Sequence, residues 1–169
     1  IEQLSKKQEL LGKYKKGLMQ KIFSQEIRFK ADDGSDYPDW ENKKLGDCAN
    51  IKKGSQLNRA NLNEMDNYPA INGGINPSGF TDDWNTKENT ITISEGGNSC
   101  GYVNFITTKF WSGGHCYSLE ELEDDVLNNF LFQNLKYNQL SIMQLRVGSG
   151  LPNIQKRGIS NFKIKIPNT

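Results

Sequence analysis

Ile1, Leu4, Gln8, Leu11, Lys15, Leu18, Ile22 and Gln25 fall at alternating steps of three and four residues, the a/d spacing of a coiled coil. Leu10 and Tyr14 widen this apolar stripe. The pattern predicts one helix over residues 1–29, roughly 43 Å long at 1.5 Å per residue. Gln8 and Lys15 interrupt the a positions, so the seam of Leu4, Leu11, Leu18 and Ile22 is weak without a partner. An ordinary amphipathic helix packed on its own domain is the alternative. Ala31-Asp32-Asp33-Gly34-Ser35-Asp36 then breaks the periodicity and reads as a linker. The chain is thus expected to comprise a helix over 1–30, a linker over 31–36 and a domain over 37–169.

Beyond Tyr37 the period shortens. Strand candidates lie near 45–51, Tyr68–Ile71, Thr90–Ser94 and 102–106, with the alternation Thr90-Ile91-Thr92-Ile93-Ser94 the clearest. Gly73-Gly74, Asn76-Pro77 and Gly96-Gly97-Asn98 mark turns. Ser118 with Glu121 resembles a capping box, expected to open a helix through Leu122, Val126, Phe130 and Leu131. A second helix is expected over 140–145, ended by Val147-Gly148-Ser149-Gly150. Phe162, Ile164 and Ile166 alternate as a last strand. The fold class is α+β: a long N-terminal coiled-coil-type helix, then a mixed domain on a curved, half-barrel-like sheet.

Composition narrows the function. With 169 residues and 35% hydrophobic positions the chain is long enough for one domain with a core plus an appendage. Mean hydropathy is −0.71, and no apolar run approaches the roughly 20 residues of a membrane span. A cytoplasmic location is expected. Net charge is only +1, which by itself argues mildly against DNA binding. Its distribution argues the other way. Residues 126–169 hold no acid but include Lys136, Arg146, Lys156, Arg157, Lys163 and Lys165, while acids cluster at Glu120, Glu121, Glu123, Asp124 and Asp125. Such separation makes one basic face on a neutral protein, or else two solvated surfaces.

The catalytic inventory is poor. Cys48, Cys100 and Cys116 are widely spaced and odd in number, which fits buried free thiols better than a disulfide framework or a zinc site. His115 and Cys116 are neighbours, whereas catalytic Cys–His pairs meet in space; Gly113-Gly114 beside them suggests a tight turn. No GxSxG elbow or GK[ST] phosphate loop is present. No metal or cofactor is expected. The stretch 68–117 is instead dense in Gly, Asn and Ser, the material of hydrogen-bonded recognition. Asn and Gln side chains read adenine edges and Arg or Lys read guanine. Asn72, Asn76, Asn98, Ser94, Ser112 and Ser149 are candidates for bases. Lys52, Lys53, Arg59, Arg146, Lys156 and Arg157 are candidates for phosphates, and Arg146 also for target choice. An Asn- and Lys-rich chain also arises from an AT-rich genome, and a protein-interaction module docking through its helix and aromatic loops is the rival from another class.

Trp40-Glu41 leading into Lys44-Leu45-Gly46-Asp47 and Ile51-Lys52-Lys53-Gly54 resembles the opening of a target-recognition domain of the specificity (S) subunits of type I restriction–modification systems. Tyr68-Pro69-Ala70-Ile71-Asn72-Gly73-Gly74 and Ile93-Ser94-Glu95-Gly96 resemble its next motifs. Arg146-Val147-Gly148-Ser149-Gly150-Leu151-Pro152-Asn153-Ile154 is similar to its closing segment, and residues 8–20 resemble the family's spacer helix. The resemblance implies two recognition domains separated by two long helices, each domain reading one half of a bipartite double-stranded DNA target. It implies methyltransferase (M) subunits that methylate adenine with S-adenosylmethionine, and motor/nuclease (R) subunits that join for restriction. The S subunit itself performs no chemistry. The family carries a further long helix after its last strand. The chain is therefore expected to be a fragment, with its helix pairing with a second spacer helix of the same or another S chain.

Overall fold

The computed structural model describes residues 2–168; Ile1, the first position of the expected a/d pattern, lies outside them. Helix α1 spans Glu2–Phe23, about 33 Å at 1.5 Å per residue, and is thus shorter than its periodicity suggests. Its end is set by contacts that a heptad count cannot see. Gln25 enters the left-handed region at φ 65°, a conformation that costs a non-glycine residue energy. Its Nε2 donates to the Ile22 carbonyl at 2.8 Å. Phe23 is buried and meets Trp40 edge-on, ring centres 6.0 Å apart. Arg28 donates to Asp39 Oδ1 at 2.6 Å and to the Tyr37 and Pro38 carbonyls at 2.6 and 3.0 Å. These contacts hold the returning chain where α1 ends.

The stretch 31–36, expected as a linker, is closed by hydrogen bonds. Ala31 N–H donates to Ser35 O and Gly34 N–H to Ala31 O, at 3.0 and 2.8 Å. Asp33 Oδ1 accepts from both the backbone and the hydroxyl of Ser35.

Two compact units emerge, one holding the described residues up to Glu41 with Lys165–Asn168, the other Asn42–Ile164. Strand β1 (Glu41–Lys44) and the last strand, β9 (Lys163–Ile166), form a two-stranded sheet. The second unit is built on a four-stranded antiparallel sheet in the order β2 (Asn50–Lys53), β8 (Cys116–Glu120), β5 (Thr90–Ser94), β6 (Val103–Ile106). Beside it, β4 (Phe80–Thr81) pairs antiparallel and β7 (Trp111–Ser112) parallel with β3 (Tyr68–Ile71). The sheets are open. None closes into a barrel.

The expected α+β class holds, with local corrections. The region near 45–51 is a one-turn 3-10 helix at Leu45–Asp47 followed by β2. Ser118 caps no helix: it lies in central strand β8, where its hydroxyl meets Glu120 Oε1 at 2.7 Å. Both neighbours of β8 demand extended backbone, and that pairing overrides the local capping signal. Helix α2 begins ten residues later, at Asn128–Tyr137, followed by α3 (Gln139–Met143) and the short α4 (Lys156–Ser160), which no sequence period marks.

Strand β5 is buried along its whole length. Ile91 and Ile93 fill one face. Thr90, Thr92 and Ser94 are covered on the other, so polar positions that alternation would send to solvent are inside. Helix α2 covers β6: Phe132 stacks on Phe105 at 5.2 Å and Lys136 Nζ donates to the Val103 carbonyl at 2.7 Å. Phe110, fully buried with Ile71, Ile106 and Cys116, forms a core cluster contributed by both larger sheets. Each such large apolar side chain contributes about 1.5–3 kcal/mol by leaving water.

Candidate nucleic-acid interface

The register of the four-stranded sheet brings Lys53, Tyr117 and Ile93 side by side at one end, since Lys53 opposes Tyr117 and Tyr117 opposes Ile93. The loops leaving that end are tied to one another by main-chain bonds. Gly54 N–H donates to Cys116 O and Glu95 N–H to His115 O, both at 2.9 Å. Gly97 N–H donates to Pro152 O at 3.1 Å and Ile154 N–H to Glu95 O at 2.8 Å. The turn at 147–153 is closed by reciprocal bonds between Val147 and Asn153, 2.8 and 3.0 Å. Gly73, at φ 84°, turns its carbonyl to accept from the hydroxyls of both Ser94 and Ser99. Asn72 Oδ1 accepts the His115 N–H at 3.2 Å. Loops far apart in sequence are thereby held as one surface.

Glu95 sits at its centre, its side chain only 13% exposed. Lys53 Nζ lies 2.6 Å from Oε1, the Tyr117 hydroxyl 3.0 Å from the same oxygen, and His115 Nδ1 3.4 Å from Oε2. Burial pushes the carboxyl's pKa up, but the Lys53 and Tyr117 hydrogen bonds and the Lys53 charge outweigh it and hold Glu95 below the ordinary range. Burial, then Glu95 itself, pushes the Tyr117 phenol well up. Tyr117 O–H also lies 3.1 Å from the Ile154 carbonyl, which ties the closing loop to the sheet.

The residues expected to contact DNA divide into three groups. Asn72, Asn76, Asn98, Arg146, Ser149, Lys156 and Arg157 lie in these loops or at the start of α4, all exposed except the half-buried Asn72. Arg59, in a 3-10 turn at Arg59–Asn61, is also exposed. Arg59, Arg146, Lys156 and Arg157 make no ion pair among the described residues. Lys52 and Lys53 are engaged, Lys52 with Glu120 at 3.6 Å and Lys53 with Glu95. Ser94 and Ser112, expected to read bases, are buried, 3% and 1% exposed. Ser94 supports Gly73 from inside. Ser112 donates its N–H to Asn85 Oδ1 at 2.6 Å and accepts Asn85 Nδ2 at its carbonyl.

Sequence reasoning missed Glu95 as a site residue, and it missed Gln56 and Trp111. These two line a cleft of about 300 Å³ with Arg59, Asn72, Ser78 and Gly113. The only local signal was the amide-rich run Gln56-Leu57-Asn58 ahead of Arg59, which has no period to recommend it.

His115 and Cys116 diverge. The imidazole is largely exposed and faces Glu95, whereas Cys116 is buried with Sγ 3.7 Å from the Tyr117 carbonyl. Burial pushes the Cys116 thiol up to about 11 and raises Cys48 and Cys100 as well. A protonated, inaccessible thiol is a poor nucleophile. Native protein at pH 7.5 is accordingly expected to take up no iodoacetamide in minutes and to be alkylated at all three positions in 6 M guanidinium. Intact-mass spectrometry reads the result, and rapid native labelling of Cys116 would contradict it. Among the described residues, no cluster of His, Cys, Asp and Glu could hold a metal ion, and no helix is long and apolar enough to cross a membrane.

Comparison with known proteins places this architecture. Residues 37–169 match the family described as Type I restriction modification DNA specificity domain. A curated Mycoplasma pneumoniae protein named as a type I specificity subunit is 33% identical over 128 residues, 75% of this chain and 34% of the relative. The crystal structure of a type I restriction-modification system S subunit from M. genitalium superposes with TM-score 0.71 at 31% identity, covering 76% of this chain and 34% of that one. An HsdS subunit from Thermoanaerobacter tengcongensis shares the fold across 98% of this chain and 43% of its own, with TM-score 0.63 at 18% identity. The chain spans about a third of the length of the curated relatives it matches. By its family match and its relatives, the chain belongs to the type I restriction-modification DNA specificity domain family.

Proposed function

We propose that this chain recognises one half of a bipartite double-stranded DNA target, and so directs adenine methylation and restriction carried out by partner M and R subunits. The observation that carries the reading is the single surface of cross-bonded loops holding Asn72, Asn76, Asn98 and Ser149 among unpaired cations. Arg146, Lys156 and Arg157 hold phosphates there, and the amides read base edges. Lys52 and Lys53 contribute only when a phosphate displaces their carboxylate partners. The chain carries no catalytic group of its own in this reading, and it works in the cytoplasm, where its DNA lies.

Helix α1 supports the assembly half of the proposal. Leu4, Leu11 and Leu18 are 72%, 57% and 36% exposed along it, with Ile22 half-buried. A second spacer helix covers this seam, and the helices set the distance between half-sites. The functional divisions in this reading are the spacer-helix segment over 1–30, of which α1 occupies Glu2–Phe23, the linker over 31–36 and the DNA target-recognition domain over 37–169.

The test is genome-wide adenine-methylation mapping of a complete specificity subunit carrying this domain, co-expressed with its M subunits. Exchanging residues 37–167 for those of a relative with another target is expected to change one half of a bipartite motif and leave the other intact. A motif indifferent to the exchange would reduce the domain to a scaffold.

A further inference from the structure

The cleft beside Asn72 is selective in its hydrogen-bonding sense. Asn58 Oδ1 accepts the Ala60 N–H at 3.1 Å and so caps the turn that carries Arg59. The guanidinium makes no hydrogen bond or ion pair among the described residues, and its five N–H groups are free. Asn72 lines the same cleft. Its Oδ1 is already accepting from His115 N–H, and a Cβ at Gly113 would collide with that same side chain. The amide is therefore fixed with its oxygen turned to the protein and its NH₂ left as the available end. Trp111 forms a wall, locked by its Nε1–H to the Ser55 carbonyl at 2.8 Å. Leu57 and Leu62 complete the apolar part of the lining.

Gln56 and Ser78, also in the lining, can donate or accept, so the sense of the cleft is set by the Arg59 fork, which calls for a ligand with adjacent acceptors. On duplex DNA the base edge with two acceptors and no donor in the major groove is guanine, through O6 and N7, and Arg is the side chain whose fork matches them. Adenine places its N6 amino group where the Arg59 fork requires an acceptor. We infer that the cleft between Arg59 and Asn72 reads a guanine in the target half-site, Arg59 donating to O6 and N7 and Asn72 donating from its far side. The inference rests on the DNA-recognition reading above and narrows it. A backbone phosphate also offers only acceptors and is the competing occupant.

Selection from a pool of randomised duplex DNA, with the wild-type chain and with Arg59→Ala, Arg59→Lys and Asn72→Ala, separates these cases. The Arg59 side chain is exposed and makes no hydrogen bond or ion pair among the described residues, so its substitution leaves the fold intact. The wild type is expected to enrich a motif with a fixed guanine. In Arg59→Ala that one position becomes degenerate, the others persist, and affinity for the best wild-type site falls roughly 10- to 100-fold. Arg59→Lys keeps the charge but not the fork and loses the same preference. Asn72→Ala weakens it. A motif lacking a fixed guanine, or one unchanged in Arg59→Ala, overturns the assignment. So does a uniform loss of affinity for every duplex with the motif intact, which marks a phosphate contact instead. No enriched motif from the wild type would sink the DNA-recognition reading itself, and this inference with it.

Discussion

Gly73→Ala is expected to lower stability by about 2–4 kcal/mol and to erase sequence preference even where the protein still folds. Gly73 lies at φ 84°, and a Cβ there would press on the backbone carbonyl of His115. Neither defect can relax alone. Moving His115 breaks the Glu95 N–H to His115 O bond and the Asn72 clasp. Moving Gly73 withdraws the carbonyl that accepts from buried Ser94 and from Ser99. Leaving a buried hydroxyl unpaired costs about 1–3 kcal/mol by itself. At roughly 2–4 °C per kcal/mol for a chain of this size, the melting temperature should drop by about 5–15 °C. Calorimetry reads the first effect and duplex selection the second. Full stability with a preserved motif would show that the loops tolerate displacement and that their cross-bonding does not set recognition.

The same residues show why the sequence disclosed the fold better than the surface. Thr90–Ser94, Tyr68–Ile71 and 162–166 declared themselves as strands because β-branched and aromatic residues bounded by turn residues are a local signal. Strand β8 did not, since its Ser118 also fits a helix cap, and only pairing with β2 and β5 decides between the two. The end of α1 was equally hidden. Residue Gln25 continues the heptad count while its backbone leaves the helix, and no glycine marks the stop.

Recognition chemistry was readable as a type and less so as a set of residues. The excess of Asn, Ser and Gly in 68–117 announces hydrogen-bonded loops, and Asn72, Asn98 and Arg146 do come to the same end of the sheet. Exposure cannot be read from a turn sequence, however, and Ser94 and Ser112 fell inside. Glu95 was hidden for the opposite reason. It lies in the Ile93-Ser94-Glu95-Gly96 motif, but its role arises only when Lys53, His115 and Tyr117 converge on it from other strands and loops.

Glu95→Gln is expected to be less stable than the wild type by about 1–2 kcal/mol at pH 7, an amount limited by the exposure of Lys53. The pH dependence follows from the carboxyl's depressed value. A group held below its ordinary pKa of 4.5 in the folded state contributes stability that is present above the unfolded value. That contribution is lost as pH falls through the folded value. The gap between wild type and Glu95→Gln should therefore be constant from pH 7 to about 5 and shrink steadily below 4.5. Urea midpoints across that range measure it, and a gap that persists undiminished at pH 3 would mean the carboxylate charge is not what holds the loops. DNA binding should move the other way. Glu95 neutralises Lys53 in the centre of the cationic surface, so its removal frees one cation for a phosphate and deletes one repulsive charge. Non-specific affinity at low salt should rise and the salt slope steepen by about one, while the selected motif stays the same. A carboxylate that organises the surface at some cost in affinity makes binding depend on the bases read around it, since phosphate attraction alone is held in check.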